Sequence, residues 1–171
     1  ALMHPASNTK SYVQDTGDTL YRRSLYVYWK RTCPHPMLTL FDAPSRESSC
    51  VRRSRSNTSL QSLALLNETQ RIETSRKLAG RLLRDAGDDD GRLNLLFTLL
   101  ASRKPTDTER NACAPLLENQ RKRFAEDKEA ASALLSIGEA PRDTELDVVE
   151  HAAWTQLAVT VLASDLAILV Y

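Results

Sequence analysis

The 171-residue chain is poor in the residues that special backbone geometry requires: it has 5 glycines, 7 prolines and 3 cysteines. So few turn residues weigh against an all-β design. The glycines stand singly, so neither a Walker loop nor a G-x-G-x-x-G fingerprint is present. Cys33, Cys50 and Cys113 are an odd set and make no complete disulfide framework. Cys33 and Cys50 bracket a proline-containing segment, and spacing alone leaves their pairing open. There is no C-x-x-C-H for covalent haem, so no cofactor is expected within this chain. Cys33-Pro34-His35 with Cys50 lacks the fourth ligand that structural zinc requires. The acidic run over 85–91 imitates a calcium loop, but Phe97 stands where a bidentate Glu is needed, so a solvated helix terminus is the better reading and no metal is expected. His4 and His151 are too isolated to serve as general bases, and a lone helical His beside Trp154 reads as a packing residue. The apolar stretch 157–171 falls short of the roughly 20 residues a membrane span needs. Thr160, Ser164 and Asp165 interrupt it, which predicts a buried helix and no transmembrane segment.

Net charge is +1, which points to no nucleic-acid partner. Its distribution is uneven: residues 1–60 carry 9 Lys and Arg against 4 Asp and Glu, whereas 61–171 carry 14 against 18. Two readings fit, internal charge complementarity and an exposed anion-binding face.

What is abundant is helical pattern. An all-α fold is predicted, an irregular helical bundle with a long ordered loop near the N-terminus, built as a single domain over 1–171. Residues 1–17 show no period. Asp18 is a plausible N-cap for a helix to about Arg31 with Leu20, Leu25, Tyr28 and Trp29 on its apolar face; a strand over 25–29 is the rival. Pro34 and Pro36 end that element. Residues 34–58 read as irregular, anchored by Met37, Leu40 and Phe41. A short helix starts near Ser59 with Leu60, Leu63, Ala64 and Leu66. Asn67 then caps a second, with Gln70 as capping-box partner and a stripe of Ile72, Ser75, Leu78, Ala79, Leu82 and Leu83. Gly87 and Asp88–Asp90 stop it. A helix over 92–102 buries Leu93, Leu96, Phe97 and Leu100. Thr106 and Glu109 form a capping box opening a helix to about Glu126, in which Pro115 predicts a kink or a restart. Residues 128–137 form a further turn or two closed by Gly138, 139–147 a polar connection, and 146–169 the last helix around Trp154.

The remaining chemistry is basic. Arg46, Arg52, Arg53 and Arg55 fall within ten residues, preceded by Arg22, Arg23 and Lys30, and interleaved with Asp42, Glu47 and Asn57. Guanidinium groups suit bidentate binding of carboxylate, phosphate or sulfate. The competing reading is an internal ion-pair network that pins the loop. No nucleophile is recognisable.

The segments LYRRSLYVYWKRT (20–32), FDAPSRE (41–47), VRRSRSNTSLQSLALLN (51–67), ALLSIGEAPRD (133–143) and AAWTQLA (152–158) carry a resemblance. The chain resembles the planctomycete-specific domain of unknown function found near the C-terminus of exported cytochrome-c-domain proteins, over nearly its whole length. It departs at Thr58-Ser59, at the position of Cys50 and at Pro115. The resemblance implies a piece of a larger multidomain protein, as does the opening at Ala1. It further implies an extracytoplasmic location (periplasmic or cell surface), haem in a separate domain, and neighbouring domains of the parent as partners. It brings no catalytic residues. Three functions remain: a module binding a partner domain or an anionic, glycan-like ligand through the arginines; a polysaccharide or sulfated-glycan hydrolase with Asp42 and Glu47 as acid and base; and a docking module for a redox domain.

Overall fold

The structure, a computed structural model, describes residues 15–22, 24–27, 29–30 and 34–168. Every regular element among them is helical. By internal contacts the chain divides between Ala64 and Leu65 into two compact units.

In the first unit, the described residues of 18–31 do not form the single helix expected there. Two 3₁₀ turns, Gly17–Tyr21 and Ser24–Tyr26, stand in its place. The physical reason is the absence of a surface to bury against: Leu25 and Tyr26 are 72% and 68% exposed, and short helices draw most of their stability from packing an apolar face. The rival strand over 25–29 is not found among its described residues, the first two of which belong to the second turn. Arg23, Tyr28, Arg31, Cys33 and His4 lie outside the described residues. Helix α1 (Pro36–Leu40) occupies the start of the stretch read as irregular. Pro36 sits in its first turn, where a missing N–H costs nothing, and the His35 side chain accepts from the Met37 N–H at 3.3 Å. Met37, Leu40 and Phe41 are half-buried, as anchoring requires. Helix α2 (Ser59–Asn67) follows the irregular segment. The leucines expected on its inner face do not turn inward: Leu60 and Leu63 are more than half exposed and Leu66 is 38% exposed, while Gln61 and Leu65 are buried instead.

The second unit contains α3 (Thr69–Asp85), α4 (Asp89–Ala101), α5 (Asp107–Glu126), α6 (Lys128–Leu135), α7 (Val148–Leu162) and α8 (Asp165–Ile168). The cap of α3 is Glu68, whose carboxylate accepts from the Gln70 and Arg71 N–H groups at 3.0 and 2.8 Å. Asn67 closes α2 rather than opening α3. The Thr106–Glu109 capping box is complete, and α5 continues through Pro115 without a restart. The last helix is shorter than expected, because Ala163 and Ser164 separate α7 from α8.

Helix α7 is the centre of this unit, packing against α3, α5, α6 and α8. Nine of its residues are buried, so it shows no polar face. Trp154 is fully buried, together with Leu82 of α3, Leu96 of α4, Leu135 of α6 and Leu157. Full burial of each such side chain is worth about 1.5–3 kcal/mol.

A polar seam crosses this core. Arg76 and Glu73 of α3 are 2% and 3% exposed. Glu73 accepts from the Glu139 and Ala140 N–H groups at 2.8 and 3.0 Å. Arg76 donates to the Leu135 carbonyl at 2.9 Å and the Ala140 carbonyl at 2.6 Å. The connection after α6 is thereby held by two charges from α3. Gly138 has φ +100°, and a Cβ there would collide with the Glu73 carboxylate. Only glycine satisfies both conditions.

Candidate functional site

The arginine segment of the first unit lies on the irregular chain between α1 and α2. Its scaffold is a set of hydrogen bonds that close back on the end of α1. Asp42 takes a left-handed conformation, φ 54°, which Asp tolerates better than most residues. Its Oδ2 accepts from the Ser56 N–H at 2.7 Å and the Ser56 hydroxyl at 2.6 Å. These two bonds, the hydroxyl's first, hold the Asp42 carboxyl below its ordinary pKa, and the Arg53 guanidinium adds to the effect. Arg53 donates from Nε to the Asp42 carbonyl at 2.9 Å and from Nη2 to the Phe41 carbonyl. Gln61 completes the set, donating to the Leu40 carbonyl at 2.8 Å and to Ser56 Oγ at 3.0 Å while accepting from the Thr58 N–H. The loop is therefore pinned through Asp42, Arg53, Ser56 and Gln61.

The other residues singled out in the sequence are not part of this clamp. Arg46 is left-handed, φ 64°, and its guanidinium lies 5.2 Å from the centroid of the Trp29 ring, a cation–π distance. Arg52 and Arg55 are exposed on either side of Arg53, and their side chains have no hydrogen-bond or ion-pair partner among the described residues. Arg22 and Asn57 are exposed likewise. Lys30 is half-buried and has a partner, as does the exposed Glu47. Arg23 lies outside the described residues. The sequence thus grouped side chains that the fold separates into scaffold and surface.

Two adjoining clefts open beside the segment. The larger, about 420 Å³, is walled by Ser45, Ser48, Ser49 and Arg52, with Pro44 and Val51 as its apolar parts. The smaller, about 310 Å³, includes Asp42, Arg53, Thr39 and Ser54, and shares Pro44 and Cys50 with the first. Cys50 is a free thiol that donates to the Arg52 carbonyl at 3.3 Å. Among the described residues no three His, Cys, Asp or Glu side chains gather to hold a metal ion, and no helix is long and apolar enough to cross a membrane.

Sequence reasoning missed Ser56 and Gln61 in the clamp, and Ser45, Ser48 and Ser49 in the cleft. The serines carry a faint signal, a Ser48-Ser49 pair between two arginine positions. Gln61 carries a clear one, the Thr58-x-x-Gln61 spacing of a capping box, whose two reciprocal bonds form at 3.0 and 3.3 Å. In the second unit, Arg76 was legible in principle: it falls four residues after Ile72 and three before Ala79, on the apolar stripe itself.

A protein-family model described as PSD1, protein of unknown function (DUF1553), matches residues 2–117. The match takes in the arginine segment, α3 and α4, and ends within α5. No curated protein and no solved structure matches the chain.

Proposed function

This chain belongs to the PSD1 family, whose function is unknown, and from that premise we propose that it is a binding module whose arginine segment holds an anionic, glycan-like ligand or an acidic partner domain. One observation carries the reading: three neighbouring arginines have different work. Arg53 is spent on the carbonyls of residues 41 and 42, whereas Arg52 and Arg55 point no charge at any described residue and remain exposed. Guanidinium groups held out by a pinned loop are pre-organised for oxyanions.

The same geometry speaks against Asp42 as a catalytic acid. Its oxygen is saturated by Ser56 and its pKa is depressed, whereas a general acid needs a raised one. The wider setting, an exported planctomycete protein with a cytochrome-c-type domain beside this module, rests on the resemblance of the segments 20–32, 41–47, 51–67, 133–143 and 152–158 alone. An extracytoplasmic location is part of that proposal.

The test is retention on dextran sulfate and on polygalacturonate, with thermal melting measured in parallel. The double variant Arg52→Ala, Arg55→Ala is expected to lose retention, which in the parent weakens with salt, and to keep its melting temperature. Arg53→Ala is expected to lower the melting temperature of the first unit. Unchanged retention in the double variant overturns the reading.

A further inference from the structure

We propose that the cleft between Pro44 and Arg52 is an oxyanion site for a tetrahedral monoester, the phosphate or sulfate group of a larger polar ligand. The inference rests on the anion-binding reading above and adds the shape of the anion to it.

The donors decide the shape. Arg52, whose guanidinium is a planar fork, and three hydroxyl-bearing residues, Ser45, Ser48 and Ser49, line the same cleft. A carboxylate offers two oxygens in one plane and is satisfied by the fork alone. A phosphate or sulfate monoester offers three terminal oxygens in three directions, so it uses the hydroxyls as well. Ser45 already accepts from the Glu47 N–H at 3.4 Å, which leaves its O–H free to donate. No carboxylate lines this cleft. The adjoining one includes Asp42 beside Arg53, so its charge is locally balanced and an anion gains little there. The thiol of Cys50 is turned to the Arg52 carbonyl and takes no part. The cleft is shallow and open, every residue lining it being exposed, so it leaves room for the group that bears the monoester. Val51, fully exposed at the rim, offers an apolar contact to that group.

The experiment is calorimetric titration of the full chain with glucose 6-phosphate, glucose 6-sulfate, glucuronate and glucose. Both monoesters, or one of them, are expected to bind at least about tenfold more tightly than glucuronate, and glucose not at all. Which monoester binds better distinguishes a phosphorylated from a sulfated source. In Ser48→Ala, Ser49→Ala the preference over glucuronate is expected to vanish while retention on dextran sulfate through Arg52 and Arg55 persists. These serines are exposed, so the variant is expected to melt with the parent. Equal binding of glucuronate and the monoesters, an unchanged preference in the serine variant, or no binding of any monoester overturns the proposal. If dextran sulfate is still retained in an arginine-dependent way, the anion-binding reading survives that result; if it is not, both fall together.

Discussion

His151 is 2% exposed on α7, with Nε2 3.0 Å from the Arg76 carbonyl and Nδ1 buried without a partner. Nε2 is then the protonated nitrogen, because only a donor suits a carbonyl. Burial is the largest influence and pushes its pKa down; the Arg76 carbonyl opposes this, and the guanidinium groups of Arg76, Arg84 and Arg142 reinforce it. A folded-state pKa below the unfolded value of about 6.5 means the neutral ring stabilises the fold. That contribution is complete above pH 6.5 and is lost as pH falls through the folded pKa. The melting temperature of the second unit is therefore expected to fall as pH drops below about 6.5. His151→Gln, which keeps an N–H near Nε2 without a titrating ring, is expected to flatten the slope in a melting series over that window. An identical slope in the variant assigns the acid sensitivity to other groups. A Cβ at Gly80 would stand in ordinary contact with this ring, 3.6 Å from Nε2.

At the scale of elements, the helix ends of the second unit are fixed by local chemistry. Asp88 caps α4 by accepting from the Gly91 N–H at 2.7 Å, and Asp127 and Asp147 cap α6 and α7 in the same way. Glu109 closes the α5 box and also receives Arg103 at 2.6 and 2.8 Å. The Arg103 hydrogen bonds come first in holding its pKa down to about 2. Its contribution is thus present above its unfolded pKa and is lost only as pH falls towards 2. Thr106→Ala removes the reciprocal bond and is expected to cost about 1 kcal/mol in chemical denaturation at pH 7, and no loss would show that Arg103 alone sets the start of α5. Of these ends Thr106 was legible from its capping-box spacing, whereas Asp88 read as the stop of α3 rather than the cap of α4, and neither Asp127 nor Asp147 was singled out as a cap. An end was misread where two caps compete, as with Asn67 against Glu68: the longer Glu side chain reaches two N–H groups, and only geometry decides that. Helix α1 was missed because proline was taken as a terminator when it was an initiator. The apolar pattern of α7 gave its burial correctly, but not its end, which depends on two residues, Ala163 and Ser164. In the arginine segment the residue types were legible and their division of labour was not, since Arg52 and Arg53 are chemically identical and differ only in what lies within reach.

At the scale of the whole molecule, the charge asymmetry follows the division into two units. Residues 1–64 carry +5 and residues 65–171 carry −4. The proposed anion-binding segment lies in the first unit, and the large core around Trp154 in the second. A fragment of residues 59–171, which keeps α2 whole, is expected to fold alone with a cooperative thermal transition and to lose all retention on dextran sulfate. A fragment that melts without cooperativity would show that the second unit depends on the first. The acidic side is already committed internally: Arg121 binds Asp89 at 2.7 and 2.8 Å and Glu150 at 2.7 and 2.8 Å, tying the first turns of α4 and α7 together. Its guanidinium pKa is raised further by those carboxylates, Asp89 first.

The two charges of α3 that hold the connection after α6 have a consequence for the order in which the chain assembles. Arg76 meets Leu135 and Ala140 across 59 and 64 residues of sequence, and Glu73 meets Glu139 and Ala140 across 66 and 67. Long closures of this kind carry an entropic cost that local helix formation does not. While α3, α4 and α5 gather, Glu73 and Arg76 can remain hydrated, and neither needs a partner. They are therefore expected to be dehydrated only when the segment around Gly138 arrives, bringing N–H groups and carbonyls in the same step. The most strongly hydrated groups of the future interior thus leave water last.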